Sequence, residues 1–461
     1  MGTRFGSPIN LRTHRAIGVS WSPEDPAFSS SYTKRTWFED SASSLFSDAG
    51  TTPAALGDQI FQWNDKVSGS YVQATAIHRP TRKSSGVYFD GATRYLKNTG
   101  TAHSTTQFSA CFSIRPNANG GDYMCYSLNS DLIIFEVYLG GLYISIGGSA
   151  NAGYIATGLQ VLPMVVSIQY DGTQSTNATR LKIWIDGVSK TLTFAGTIPA
   201  SIAATTGAAI GVRYGVTAPW NGYVRGGLLT DGVWTTVDRQ NVENYFLTTL
   251  NPWPAVWVAC CGNSRTRGRS TSGDTNGNFA SLTAWPAVMG NALGDSYHIT
   301  NYGIDSQTTD QMTSYAATHA FADVAFCRSP KKIIIGYEGL NCIYFGATGT
   351  QAYDSDVAFK VAAKAAGFHY VVIPTTGKDG YIGGSPWTPA MQTERIARNS
   401  LLVSNAVSDG IDGIGRVDLD ANVGDAANTA DTTYFYSDQE HWVDGGQTVV
   451  AGIIGPVVSS F

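Results

Sequence analysis

The chain has 461 residues, with 30 Lys+Arg against 35 Asp+Glu, a formal net charge of -5 and a pI near 5.8. That length exceeds one ordinary core and calls for two domains. The acidic balance, with no Lys/Arg run dense enough to neutralise several phosphates, excludes a nucleic-acid partner. Charged residues make up only 14%, Gly numbers 51 and aromatics reach 11%, a profile of turn-rich β structure with uncharged polar surfaces suited to sugars.

In chain order, residues 1–16 read as an N-terminal extension. Met1 to Ser20 holds Arg4, Arg12 and Arg15 but no continuous apolar region, so no classical secretory signal is read there. Nowhere does an apolar run approach the roughly twenty residues of a membrane span. From 17 to 250 short alternating runs (108–114, 132–138, 142–146, 164–170, 181–185) are separated by Gly, Asn, Asp and Ser. Period-two alternation with frequent turn signals predicts an antiparallel β-sandwich. Asp186-Gly187 marks a hairpin, because both residues tolerate positive φ. After a strand near 223–229, residues 236–250 have helical spacing, with Val237, Val242, Phe246 and Leu250 on one face.

Asn251-Pro252-Trp253-Pro254 breaks that helix, and the pattern changes over 251–461. Strand-like runs at 256–261, 332–335, 370–373 and 414–417 alternate with helical stretches at 308–321, 354–366, 389–407 and 448–458. Such alternation predicts an α/β domain with a parallel sheet and active groups at the carboxyl ends of its strands.

Four segments carry chemistry. The apolar run 256–261 is followed by Gly262-Asn263-Ser264, a small-residue turn presenting a hydroxyl. Asn301-Tyr302-Gly303 places a glycine N–H before a helical stretch, where it would face a developing oxyanion. The run 333–335 ends in Gly336-Tyr337-Glu338-Gly339-Leu340-Asn341, bringing an amide donor to the same sheet edge. Asp438 and His441 stand three residues apart just ahead of the final helix. A serine hydroxyl needs a base, and an imidazole oriented by a carboxylate supplies one.

Other candidates read more plainly. His298 and His369 are structural histidines, and the Asp295/His298 pair enters a strand instead of leading into the closing helix. Asp418, followed by Asp420, is the reserve orienting acid. Asp305 and Glu338 read as solvated loop carboxylates, and Arg265 and Arg267 as surface arginines within reach of an acidic sugar. The six cysteines, Cys111, Cys125, Cys260, Cys261, Cys327 and Cys342, read as buried free thiols. No cluster has metal-ligand spacing, and no cofactor is expected.

Ser after the first strand, Gly after the second, Asn after the third and Asp-x-x-His before the closing helix resemble the SGNH hydrolases, or GDSL-type esterases, over 257–461. The resemblance implies a three-layer α/β fold. Ser264 would then be the nucleophile, the N–H groups of Ser264 and Gly303 with the Asn341 side chain an oxyanion hole, and Asp438 and His441 the rest of a triad. Asn263 departs from the family's usual Asp, and Cys342 from the Asp that often follows the third motif. Upstream, Trp37 to Pro53, Phe61 to Lys66, Arg79-Pro80 and Val87 to Gly91 resemble the opening of a concanavalin A-like, laminin-G-type jelly roll, similar to bacteriophage tail proteins and secreted glycan-active proteins. Trp63, Tyr71, Tyr95, Trp220 and Tyr223 are the aromatics available for sugar stacking, with a core role as the plainer reading.

Together these imply a carbohydrate O-acetylesterase acting on an acetylated polysaccharide or another small-acyl ester. Its sandwich would serve for targeting, in an extracellular or tail-associated setting, as a homo-oligomer or attached to a virion. Two alternatives stand beside it: an inactive glycan-binding adhesin or virion protein, motivated by Asn263 and Cys342, and an esterase for lipid or aryl esters.

Overall fold

A computed structural model describes residues 21–461 apart from 68, 103–104, 118–121, 129–132, 139–140, 149, 156–161, 205, 274–280, 282, 326, 379–385 and 425–428. The expectations for residues 1–16 lie outside the described residues. Among the described residues, no helix is long and apolar enough to cross a membrane.

Residues 34–231 build two antiparallel sheets, of eight and ten strands. Their facing sides share one core, in which Phe112 of the strand Gln107–Pro116 meets Tyr126 and Phe135 of the opposite sheet at ring separations of 5.0 and 5.4 Å. The hairpin forms as expected: Ile185 pairs with Val188, with Asp186 at φ 49° and Gly187 at φ 82° as the two turn residues.

Strict alternation fails in Gln107–Pro116 and Met164–Asp171, which are buried on nearly every residue. The cause is the helix Thr236–Thr249, capped by the Thr235 hydroxyl accepting from the Asp238 N–H, which covers the outer side of that sheet. Val242, Phe246 and Leu250 pack there on Cys111, Val165 and Leu228. Val237, expected on this face, is 64% exposed. The face instead takes in Arg239 and Glu243, one turn apart and buried as an ion pair at 2.5 Å. Of the aromatics considered for sugar stacking, Trp63, Tyr71, Trp220 and Tyr223 are buried, and only Tyr95 is half-exposed. All six cysteines are free, and Cys327 is half-buried where the others are buried.

The remaining sheet is parallel, its strands running in space as Tyr297–Gly303, Val256–Gly262, Lys331–Tyr337, His369–Val372 and Gly413–Ile414. The last is shorter than the expected 414–417, because Val417–Leu419 turns into a 3-10 helix. Both faces of the sheet are covered, which is why its strands read as unbroken apolar runs. Val256, Val258 and Cys260 point to the side of the helices Trp285–Leu293 and Asp444–Ser459. Trp257, Ala259 and Cys261 point to the side of Thr309–Thr318, Gly349–Ala365 and Pro389–Ser404. The chain leaves the first strand on one side to reach the second and crosses back to reach the third. A ligand crevice opens at the carboxyl end of such a switch point.

Candidate active site

Three strands end level with one another at that point: Gly262 pairs with Gly303 on one side and with Tyr337 on the other. Two glycines let the chain close up here. A Cβ on Gly262 would lie 2.1 Å from Thr266 Oγ1, and one on Gly303 would lie 2.3 Å from the Arg267 N. Directly after Gly262 the chain turns into the short helix Ser264–Arg267. Ser264 is its first residue and 6% exposed.

From the opposite end of this half, the loop before the last helix reaches the same point. Asp438 Oδ1 accepts from the N–H groups of Glu440 and His441, both at 2.9 Å, and Gln439 adopts φ 58° to make so tight a turn. Asp438 Oδ2 then meets His441 Nδ1 at 2.6 Å, and His441 Nε2 meets Ser264 Oγ at 2.8 Å. Burial pushes the Asp438 carboxyl up, but hydrogen bonds from the His441 ring and the loop N–H groups, with the imidazole's charge, outweigh it and hold the carboxyl down at about 2. Asp438 is therefore ionised at neutral pH. Its folded value lies below the ordinary one, so the stability it contributes is present above the ordinary range and is lost as pH falls towards 2.

The donors for an oxyanion are only partly those expected. Ser264 N–H, at the helix start, has no hydrogen-bond partner among the described residues. Asn341 Nδ2 donates one hydrogen to Gln307 O at 2.9 Å, which leaves its second. Gly303 N–H, expected to be open, donates instead to Asn301 Oδ1 at 2.9 Å, while Asn301 Nδ2 donates to Thr266 O at 2.6 Å. Asn301 thus ties the strand end to the nucleophile's helix. Ser306, three residues beyond Gly303, sits at φ 61° with its N–H unpaired among the described residues. Its loop is anchored by Ile304 N and Gln307 Nε2, both donating to Gly262 O.

Beneath the nucleophile lies a group read as solvated that is in fact buried. Glu338 is 1% exposed. Its Oε1 accepts from Asn341 N at 2.8 Å and Cys342 N at 3.3 Å, and its Oε2 accepts from Asn263 Nδ2. Asn263 Oδ1 meanwhile accepts from Arg265 N at 3.0 Å. Asn263 must donate on one side and accept on the other, which an ionised Asp cannot do. Cys342 is likewise placed: its Sγ accepts from Thr309 N at 3.2 Å, and burial pushes its thiol up to about 11.

Burial also drives the Glu338 carboxyl up to about 7, against the pull of the Asn263 and backbone hydrogen bonds. Because this folded value exceeds the ordinary 4.5, ionising Glu338 opposes folding, so its contribution to stability falls as pH climbs from 4.5 through about 7 and is level above. Asn263→Asp would set a second buried carboxylate against it. We expect a loss of about 3 kcal/mol at about pH 8, less at about pH 5, where one proton serves the pair. Glu338→Gln in the same chain should recover most of it. Denaturation midpoints across this pH range check the expectation, and a penalty independent of pH contradicts it.

Arg265 and Arg267 are not surface arginines. Arg265 is fully buried: Nε donates to Glu440 O at 2.8 Å, Nη1 to Tyr337 Oη at 3.0 Å and to Thr376, and Nη2 to Gly377 O at 3.1 Å, with the guanidinium 4.9 Å from the Trp442 ring centre. Arg267 Nε meets Asp305 at 2.5 Å. Neither is open to an acidic sugar. Lys378 and Glu440 add a buried ion pair at 2.7 Å, so the His441 loop is held both by its backbone and by a side chain. Asp418 pairs with Arg416 at 2.9 Å, and Asp420 Oδ1 accepts from Asn422 N and Val423 N within its own turn. Asp295 accepts from Tyr223 Oη, buried His298 lies edge-on to Trp253, and half-exposed His369 lies 4.0 Å from Asp412. Among the described residues, no group of three or more His, Cys, Asp or Glu is placed to hold a metal ion.

No protein-family model and no curated protein matches the chain. Solved structures similar to part of it include a member of the lipolytic protein G-D-S-L family from Veillonella parvula, with 18% identity over 45% of this chain and 100% of that one and a TM-score of 0.35. Another is the aryl esterase of M. smegmatis, at 15% identity, 45% and 99% coverage and a TM-score of 0.35. A third is a carbohydrate acetylesterase from Sinorhizobium meliloti, at 16% identity, 44% and 98% coverage and a TM-score of 0.33. Identities and TM-scores this low leave the function to the geometry of the site.

Proposed function

We propose that the protein is a serine esterase of the SGNH type, with residues 251–461 as its catalytic domain. The observation that carries the reading is the unbroken line from Asp438 through His441 to Ser264, at 2.6 and 2.8 Å. Ser264 Oγ attacks an acyl carbonyl and His441 Nε2 takes its proton, while Asp438 holds the ring and balances the imidazolium. The Ser264 N–H and the second hydrogen of Asn341 Nδ2 receive the oxyanion. His441 then protonates the departing alcohol, and water, deprotonated by the same imidazole, releases the acyl group from Ser264.

The departures at Asn263 and Cys342 do not weaken this reading, since each side chain has partners that suit it. The substrate we propose is an O-acetylated polysaccharide, with residues 17–250 forming a concanavalin A-like jelly roll that keeps the enzyme on its polymer, in an extracellular or tail-associated setting. Support comes from the polar, weakly charged composition. A fluorophosphonate probe should label Ser264, and the protein should release acetate from acetylated glycans and from an aryl acetate. Absence of both labelling and release refutes the esterase; release from the aryl ester alone refutes the polysaccharide.

A further inference from the structure

A second cavity, of about 390 Å³, lies where the antiparallel sheets meet the α/β half. It opens at the amino end of the strand Tyr297–Gly303, whose other end lies beside the nucleophile's turn. A seven-residue strand puts the two places roughly 20 Å apart. Its size falls within the range of pockets that hold small ligands, about 300–1,000 Å³, and junctions between domains are a frequent place for them.

The cavity's shape is fixed by buried bonds across the junction. Arg115, 6% exposed, donates from Nη1 to Asp295 O at 3.1 Å and to Ser85 Oγ at 3.2 Å, and from Nη2 to Tyr297 O at 2.5 Å. Tyr223 Oη donates to Asp295 Oδ1 at 2.7 Å. The Arg115 guanidinium also stacks 4.6 Å from the Tyr223 ring centre. A wall fixed in this way is preformed and adds little ordering cost when a ligand binds.

The lining indicates the ligand's chemistry. Asn117, Asn221 and Asn291 come from three separate segments, and none of their side chains makes a hydrogen bond among the described residues. Each amide offers both donors and an acceptor, as neighbouring hydroxyl groups require. Tyr88, half-buried, lines the cleft, tilted against Tyr223 at 5.1 Å with the Arg94 guanidinium 5.8 Å from its ring centre, and adds aromatic surface suited to the C–H side of a ring. Aliphatic wall is scarce, limited to Ala287 and Ile299, so an acyl chain would find little to bury against. Lys83 and Arg115 are partly offset by Asp295, too weak a positive field for a polyphosphate.

We propose that this cleft is a non-catalytic binding site for a sugar unit of the polymer from which the Ser264 site removes acyl groups; the identity of that polymer, though not the binding itself, rests on the esterase reading above. A sugar held here fixes the chain at a second point, so polymeric substrate binds more tightly than a small ester of the same acyl group.

The test uses the full chain carrying Ser264→Ala, so that substrate is not consumed. Affinity electrophoresis is run through xylan, glucomannan, pectin and bacterial capsular polysaccharides, each acetylated and chemically deacetylated. We expect retention by at least one polymer that persists in its deacetylated form and weakens about tenfold or more with Tyr88→Ala and with Asn291→Ala. Asn291 is exposed near the end of its helix, so its replacement leaves the core untouched. Failure of every polymer to retain the protein, or retention unchanged in both variants, overturns the proposal. The same two substitutions in the Ser264 protein should leave kcat/KM for an aryl acetate unchanged. If the Ser264 protein turns over no ester at all, the esterase reading fails while the retention experiment still decides the cleft.

Discussion

Ser264→Ala is expected to lower kcat for an aryl acetate by on the order of 10⁶-fold, with little change in the denaturation midpoint. The hydroxyl is the group hydrogen-bonded to His441 Nε2, at 2.8 Å, so its removal ends acyl transfer through the enzyme and leaves what the oxyanion donors do for attack by water. Asp438→Asn should fall about 10⁴-fold, because a side-chain amide at 2.6 Å from Nδ1 favours the wrong tautomer. Steady-state kinetics on both variants, with single-turnover measurements to detect the acyl-enzyme, check these values. A loss below about tenfold for Ser264→Ala would place the chemistry elsewhere.

The largest effect on stability is expected at Arg265. Arg265→Met should cost about 4 kcal/mol, since it strands the buried carbonyls of Glu440 and Gly377, each costing about 1–3 kcal/mol when unpaired, and leaves the Tyr337 and Thr376 hydroxyls only their bond to each other at 3.2 Å. It also frees the backbone of Glu440, the residue before His441. Activity should therefore fall at temperatures where the variant is still folded. Denaturant titration measures the first effect, and kcat on the folded fraction the second. A variant that loses stability but keeps full kcat would show that the Lys378–Glu440 pair holds the loop unaided.

Much of this was legible in the residues because it follows from local rules. Alternating β and α patterns after Pro254 place the strand ends at one edge, and Ser264, Asn341 and His441 follow strand or helix boundaries that the pattern marks. The hairpin at Asp186-Gly187 is equally local. What was not legible depends on partners far along the chain. Arg265 is buried by a carbonyl 175 residues away and a hydroxyl 111 residues away, neither of which any spacing rule reaches. Val237 is apolar and its spacing points it inward, yet the helix turns a buried Arg–Glu pair to the sheet instead. Glu338 could have been found: Asn263 in place of an acid after the first strand, and an acid before Asn341 after the third, form a matched donor and acceptor at one sheet edge. Gly303 shows the opposite error, since the position needs a glycine for close packing and its N–H is occupied by Asn301.

The strand leading to Ser264 is paired along all seven residues by a neighbour on each side, whereas the edge strand Gly413–Ile414 is held along one side by a two-residue ladder. Local opening begins where ladders are short. Breathing at the far rim therefore leaves the reactive hydroxyl at its address, and its platform is among the last pieces of backbone in this half to come apart.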